Sequence, residues 1–339
     1  MKYPQFLKEN DTIGLLATSC GNNVNPYRLK AQVGIKKFLE KNYKIKRGHC
    51  VFKMKDAVSA SHEIRADDFN KMYKNKNIDF IWSTGGGEIM MGMLPYIDFE
   101  KIKKLPPKFF MGFSDNTNLT FTLTTICDVA TIYGTTIGAF AYNEVSDDVI
   151  DNYLLMKNEK LSFDSYKFYD GENTIKDSNN ILSNPIYVDE VKWNSLDGNT
   201  HQFEGRIIGG CLDILVCLCG TKFDNVTNFI EKYKEDGIIW YFDICDLNST
   251  GVYRALFQLY NAGWFKYAKG FVIGRPLCKY EPLGYSYIKA LNDGLSFLNV
   301  PVIYDVDISH VKPSMPVING AIAKVSYKEN KGNITYYLK

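Results

Sequence analysis

A chain of 339 residues with 45% hydrophobic content is long enough to bury a substantial core and to divide into two domains, which excludes a disordered segment. Forty basic against 38 acidic residues leave a formal charge of +2, which excludes a general attraction for nucleic acid polymers or an anionic membrane, so any charged ligand must be recognised locally. No segment reaches membrane-spanning length and the first ten residues lack the apolar core of a secretory signal, so a cytoplasmic location is expected.

In chain order, the first 140 residues alternate short apolar runs with amphipathic stretches. Strands are expected at 12–17, 80–83 and 109–113, with helical spacing over 27–39. That rhythm reads as βαβ units on a parallel sheet, whose ligands gather at the carboxyl ends of the strands. The Lys/Asn-rich stretch 71–77 reads as a solvated helix end. From about 144 to 200 the composition turns polar, which suggests a linker and excursion. A second organised region follows, with strands expected at 205–211, 237–244, 270–276 and 302–306 and a helix at 251–262. The expected division is therefore 1–145, 146–200 and 201–339. Cys127, Cys211, Cys217, Cys219 and Cys245 lie in apolar runs and read as reduced, buried thiols. With no CxxC pair and four histidines, a Cys/His zinc site has little to build on, and neither a metal nor a cofactor is expected.

Several short segments carry chemistry. Ser114 follows the buried-strand pattern of 109–113 and precedes Asp115, Asn116, Thr117 and Asn118, residue types that favour helix starts. A serine at such a turn meets the positive end of a helix dipole, and the amide of Asp115 would face a developing oxyanion. The pattern departs from GxSxG because Asn116 stands where the second glycine belongs, and a simple helix cap is the competing reading. Gly85, Gly86 and Gly87 offer amides without side chains, suited to an oxyanion hole or an anion, or else make a tight turn. His310 follows an apolar strand and precedes a proline-containing loop, where a site histidine or an idle solvated one would both fit. Asp243 ends the apolar run 238–242, with Asp246 three residues on, and either could orient a histidine or cap a turn.

Taken together these segments resemble the LD-carboxypeptidase family, which includes the microcin C immunity peptidases. The resemblance rests on Asp11-Thr-Ile-Gly, Ile64-Arg65-Ala66-Asp67-Asp68, Thr84-Gly-Gly-Gly, Pro107-Lys-Phe-Phe-Met-Gly-Phe-Ser-Asp115, Ile208-Gly-Gly-Cys-Leu-Asp213, Gly220-Thr221, Phe242-Asp243, Gly274-Arg275 and His310, in that order. It implies an α/β fold with an N-terminal Rossmann-like parallel sheet, a smaller C-terminal α/β domain and a site in the cleft between them. It also implies a homodimer and a Ser-Glu-His triad, with Ser114 matching the nucleophile and His310 the base. Gly86 or Gly87 and Asp115 match the oxyanion positions. Asp243 aligns with the family's glutamate and is one methylene shorter, so either the backbone brings it closer or Asp246 substitutes. Ser309 stands where a glycine commonly precedes the histidine.

The implied reaction is hydrolysis of the LD bond before the terminal D-alanine of a cytoplasmic murein tetrapeptide, as in cell-wall recycling. Arg275 and Arg65 are candidates to hold the substrate carboxylate, with structural pairing as the alternative for each. A peptidyl- or aminoacyl-nucleotide of the microcin type is the second substrate reading, with Tyr166, Tyr169 or Trp193 available to stack on a base. A non-catalytic binding protein on the same fold is the third.

Overall fold

The computed structural model describes residues 1–177 and 179–339. They form two compact units, one of Met1–Lys160 with Ile175–Ile186 and the other of Leu161–Thr174 with Tyr187–Lys339.

The first unit contains β1 (Thr12–Leu16), α1 (Tyr27–Glu40), β2 (Lys44–Arg47), α2 (His62–Lys74), β3 (Phe80–Ser83), α3 (Phe99–Ile102), β4 (Phe109–Gly112), α4 (Thr117–Cys127), β5 (Thr131–Tyr133) and α5 (Asp147–Met156). Its strands pair in parallel in the order β5-β4-β3-β1-β2, a Rossmann-like arrangement. Every residue of β3 and β4 is buried, which is why both read as continuous apolar runs without alternation. The edge strand β2, Lys-Ile-Lys-Arg, is largely exposed, and its charges discourage pairing with another chain. Phe38 packs α1 onto the sheet through edge contacts with Trp82 and Phe140 at 5.1 and 5.0 Å. Helix α4 is rich in β-branched threonine yet almost wholly buried. The hydroxyls of Thr124 and Thr125 donate to the carbonyls four residues back, which satisfies them away from water.

The second unit contains β6 (Ser162–Asp164), β7 (Phe168–Tyr169), β8 (Asp189–Glu190), β9 (Asn194–Ser195), β10 (His201–Cys211), α6 (Leu212–Leu218), α7 (Val226–Lys232), β11 (Ile238–Asp243), α8 (Ser249–Asn261), β12 (Ala268–Gly274), α9 (Tyr287–Leu295), β13 (Val302–Val306), β14 (Val317–Asn319), β15 (Ile322–Lys328) and β16 (Lys331–Tyr337). Its main sheet has the order β6-β16-β15-β10-β11-β12-β13-β9. The central β10, β11, β12 and β13 are parallel, and the flanking strands are antiparallel. The β15–β16 hairpin turns at Glu329 and Asn330, both at positive φ (50° and 64°), as a twisted two-residue hairpin requires.

The polar stretch 146–200 is not a separate excursion. Helix α5 belongs to the first unit, while β6 and β9 extend the two edges of the second sheet and β7 pairs with β8. Edge strands this short need no long apolar run, so composition alone does not reveal them. The cysteines also divide. All eight are free; Cys127 and Cys211 are buried, but Cys217 is exposed. In α6 the buried side chains are Leu212, Leu215 and Leu218, and the three-residue spacing leaves Cys217 on the outer face. Among the described residues no helix is long and apolar enough to cross a membrane.

Candidate active site

Strand β4 ends at Gly112, and the chain then turns sharply into α4. Phe113 is extended, and Ser114 has φ +63°, a left-handed conformation that costs energy for a residue with a Cβ. Asn116, not Ser114, stands at the cap of α4, so the cap reading of Ser114 does not describe this turn. The backbone N–H of Ser114 donates to Tyr133 Oη at 3.0 Å, which ties the turn to the end of β5.

The glycine turn lies against this serine. A Cβ on Gly86 would stand 3.1 Å from Ser114 Cβ, 3.3 Å from its Oγ and 3.9 Å from the Asp115 nitrogen, so the missing side chain leaves space beside all three. Gly87 has φ +151°, and a Cβ there would run into Ser19 Oγ and Cys20 Sγ, so only glycine fits. Asn116 supplies what a second glycine would not. Its Nδ2 donates to Gly85 O (2.9 Å) and Phe113 O (3.0 Å), and its Oδ1 accepts from Thr18 Oγ1 (2.7 Å). One buried side chain thus staples the glycine turn to the serine turn. The Asp115 carboxylate points away from solvent and accepts from Ser19 Oγ, from Met90 N at 2.9 Å and from Asn118 Nδ2 at 2.9 Å. Burial raises its pKa, and those hydrogen bonds and the charge of Arg65 oppose the shift.

In the second unit Asp243 closes β11 and is fully buried. It receives His310 twice, with Oδ2 2.8 Å from the ring Nδ1 and Oδ1 accepting the His310 backbone N–H at 3.0 Å. Burial alone would lower the His310 pKa, but the charge and hydrogen bond of Asp243, joined by a hydrogen bond with Cys245, raise it above the ordinary 6.5. Asp246 is elsewhere: its backbone N–H, with those of Cys245 and Leu247, donates to Asp213 at 2.8, 3.1 and 2.9 Å. Asp213 thereby wraps the loop after β11 and keeps Asp243 at its end.

Both arginines expected to grip a carboxylate are committed to the protein. Arg65 is 1% exposed and donates to Ala60 O (3.1 Å), Thr18 O (2.6 Å) and Ile89 O (3.1 Å). Arg275 is 7% exposed and pairs with the buried Asp307 at 2.7 Å. Trp193 is likewise not a stacking platform, being fully buried with Nε1 donating to Asp307 at 2.8 Å. Tyr169, in contrast, lines a cavity of about 460 Å³ with Arg275, Tyr280, Tyr287, Asp305 and Val311, all within the second unit. Among the described residues there is no cluster of three or more His, Cys, Asp or Glu side chains suited to a metal ion. Sequence reasoning did not single out Tyr133, Ser19 or Asp307. Asp213 lies in one of the family-like motifs with no role that local pattern assigns, and the pattern marks Asn116 only as a helix-start residue and a departure from GxSxG.

Acyl transfer needs a nucleophile and a histidine whose far nitrogen is held by an acid, and residues of these types stand at strand ends in the two α/β units. Residues 13–134 match the LD-carboxypeptidase N-terminal domain, and residues 204–325 match the LD-carboxypeptidase C-terminal domain. The chain belongs to the LD-carboxypeptidase family. It is 24% identical to the microcin C7 self-immunity protein MccF of Escherichia coli, over 97% of this chain and 94% of that protein. It is also 24% identical to a probable murein peptide carboxypeptidase of Bacillus subtilis, over 96% and 92% of the two chains. The structure of MccF in complex with aspartyl sulfamoyl adenosine has the same fold, with a TM-score of 0.81, 21% identity and 98% of both chains covered. So does an MccF-like protein from Streptococcus pneumoniae in complex with AMP, at a TM-score of 0.78 and 22% identity over 96% of this chain and 98% of that one.

Proposed function

We propose that this chain is a cytoplasmic serine-type LD-carboxypeptidase that removes the terminal D-alanine from murein tetrapeptide, working as a homodimer. Ser114 is the nucleophile, His310 the general base and Asp243 the acid that orients it. The observation that carries the reading is the double contact of Asp243 with His310, which fixes the ring by Nδ1 and assigns proton acceptance to Nε2 of the neutral ring.

In this reaction Ser114 Oγ attacks the carbonyl of the L-centred residue and gives its proton to His310 Nε2. The tetrahedral oxyanion takes hydrogen bonds from the Asp115 amide and an amide of Gly86 or Gly87. Collapse breaks the C–N bond, the imidazolium protonates the departing amine of D-alanine, and an acyl ester remains on Ser114. Water then attacks the ester while His310 takes its proton, releasing the shortened peptide and restoring the serine. Asp243 stabilises the imidazolium in both halves.

A second reading keeps this machinery and changes the substrate to a peptidyl- or aminoacyl-nucleotide. The cavity beside Val311 favours it, because Tyr169, Tyr280 and Tyr287 are among its walls and could face a planar base. The ligands of the two solved relatives, aspartyl sulfamoyl adenosine and AMP, point the same way. Incubation of the pure protein with murein tetrapeptide and, separately, with an aminoacyl-sulfamoyl nucleotide, followed by product mass, decides between the substrates. A fluorophosphonate probe tests the class. Labelling lost in Ser114→Ala and strongly reduced in His310→Ala is expected, and an unlabelled wild-type protein would leave only the binding-protein reading.

A further inference from the structure

His310 sits on an irregular loop, not on a strand, and two contacts with Asp243 cannot by themselves fix the chain on either side of it. The loop starts at the end of β13, where Asp305 takes φ +57°, and it runs to Pro313 and beyond. Its carbonyls are turned inward and need donors, since a buried carbonyl without one is costly. Arg275, the residue after β12, supplies them on both sides of the histidine. Nη1 donates to Asp305 O at 3.0 Å, and Nη2 donates to Pro313 O at 3.3 Å and Val311 O at 3.5 Å. Its own carbonyl accepts from Ser309 Oγ at 2.6 Å, and the same Oγ accepts the Val311 N–H at 2.9 Å. Asp307 pairs with Arg275 Nη1 through Oδ1, while its Oδ2 accepts from Trp193 Nε1 (2.8 Å) and Tyr166 N (3.1 Å).

We infer that Arg275, Asp307 and Ser309 are positioning residues that brace the loop on both sides of His310 and thereby set the imidazole for proton transfer. The inference rests on His310 acting as the general base. The planar fork of Arg275 is essential to it, because one guanidinium reaches carbonyls before and after the histidine while still pairing with Asp307. A lysine keeps the charge beside Asp307 but cannot span those carbonyls. Ser309 adds a hydroxyl that links residues 275, 309 and 311 directly.

Arg275→Lys in the full chain tests the brace. With a substrate that the wild type turns over, kcat should fall by about 10²-fold, the effect of displacing a reacting group by roughly 1 Å, while KM changes less than about threefold. In the folded variant, the proton NMR signal of His310 Nδ1–H, assigned by its loss in His310→Gln, should broaden or move upfield. Ser309→Ala should lower kcat about tenfold with KM held, and it serves as the test if Arg275→Lys fails to fold. A raised KM with unchanged kcat in Arg275→Lys would show that the guanidinium binds substrate and would overturn the brace. So would an unchanged resonance with kcat within about twofold of wild type. Absence of turnover and of fluorophosphonate labelling in the wild type would instead remove the hydrolase reading, and the Nδ1 resonance would still decide whether the brace sets the ring.

Discussion

Replacing Asp243 with asparagine exchanges one oxygen for an amide nitrogen at the point where the carboxylate meets His310 Nδ1 at 2.8 Å. The remaining oxygen can still accept the His310 backbone N–H, which Asp243 Oδ1 now accepts at 3.0 Å. Loop position is therefore largely kept, and the change falls on the ring. An amide N–H facing Nδ1 makes that nitrogen an acceptor and moves the ring proton to Nε2, so the base is blocked. In serine peptidases with this arrangement the substitution lowers kcat about 10⁴-fold, a barrier increase of roughly 5 kcal/mol. Folding stability should fall less, by about 1.5–3 kcal/mol for one charge-assisted hydrogen bond. The pH dependence also has a fixed sign. Burial opposes the charge on His310, and Asp243 overcomes it, so the wild-type base should lose its proton above 6.5 and kcat/KM should rise through that limb. Without the carboxylate charge only burial remains as the larger influence, and the residual limb should move to lower pH. Steady-state kinetics on murein tetrapeptide across pH, with denaturant unfolding of both proteins, measures each quantity. A variant retaining more than a tenth of wild-type kcat, or an Asp246→Asn variant with the larger loss, would refute the assignment of Asp243.

Gly86→Ala places a methyl 3.1 Å from Ser114 Cβ and 3.3 Å from its Oγ, so kcat should fall about 10²-fold or more, while Tm moves by less than about 4 °C; thermal melts beside kinetics separate the two. Asn116→Ala removes hydrogen bonds to Gly85 O and Phe113 O and leaves Thr18 Oγ1 without this acceptor, so unfolding free energy should drop by about 2–4 kcal/mol, and a loss under about 0.5 kcal/mol would count against the staple. Because the folded-state pKa of His310 lies above 6.5, its pairing with Asp243 contributes fully below that value and fades as pH rises through the folded pKa. With the folded pKa raised to about 10, the stability difference between wild type and His310→Gln should be largest below 6.5 and be lost as pH passes about 10 in denaturant titrations.

The buried strands were legible because burial on both faces leaves an unbroken apolar run. Residues 80–83 are such a run and β3 has those bounds; 302–306 also match β13, although Tyr304 and Asp305 in its middle are only partly buried. The strand expected at 270–276 is Ala268–Gly274, whose last ladder pair is Gly274 with Val306, and Arg275 beyond it turns its guanidinium to Asp305 O. Local pattern could reveal a serine after β4 and an aspartate closing β11, since both are strand ends. It could not reveal the choice between Asp243 and Asp246, which depends on a contact 67 residues away in sequence. The two arginines failed for a related reason. A guanidinium has the charge and fork to hold a substrate carboxylate, yet irregular loops with buried carbonyls compete for the same donors, and Arg65 and Arg275 donate to such carbonyls.

The shorter acid is accommodated by the direction from which the histidine arrives. A glutamate could reach outward from the strand end to a distant ring, whereas Asp243 meets His310 with both oxygens, one on the ring and one on the backbone of the same residue. A backbone contact of that kind requires the His310 loop itself to come down onto the end of β11. That requirement places the burden of precision on the loop, and there the Arg275 fork and the Ser309 hydroxyl are found. Asp213 meets the corresponding need on the acid's side by gathering the N–H groups of Cys245, Asp246 and Leu247. The short reach of Asp243 and the Ser309 hydroxyl are therefore linked: the first needs the loop close to the end of β11, and the second helps hold it there. Glycine in place of Ser309 should accordingly be tolerated better in an Asp243→Glu background than alone, and double-mutant kinetics that found the two changes strictly additive would contradict the coupling.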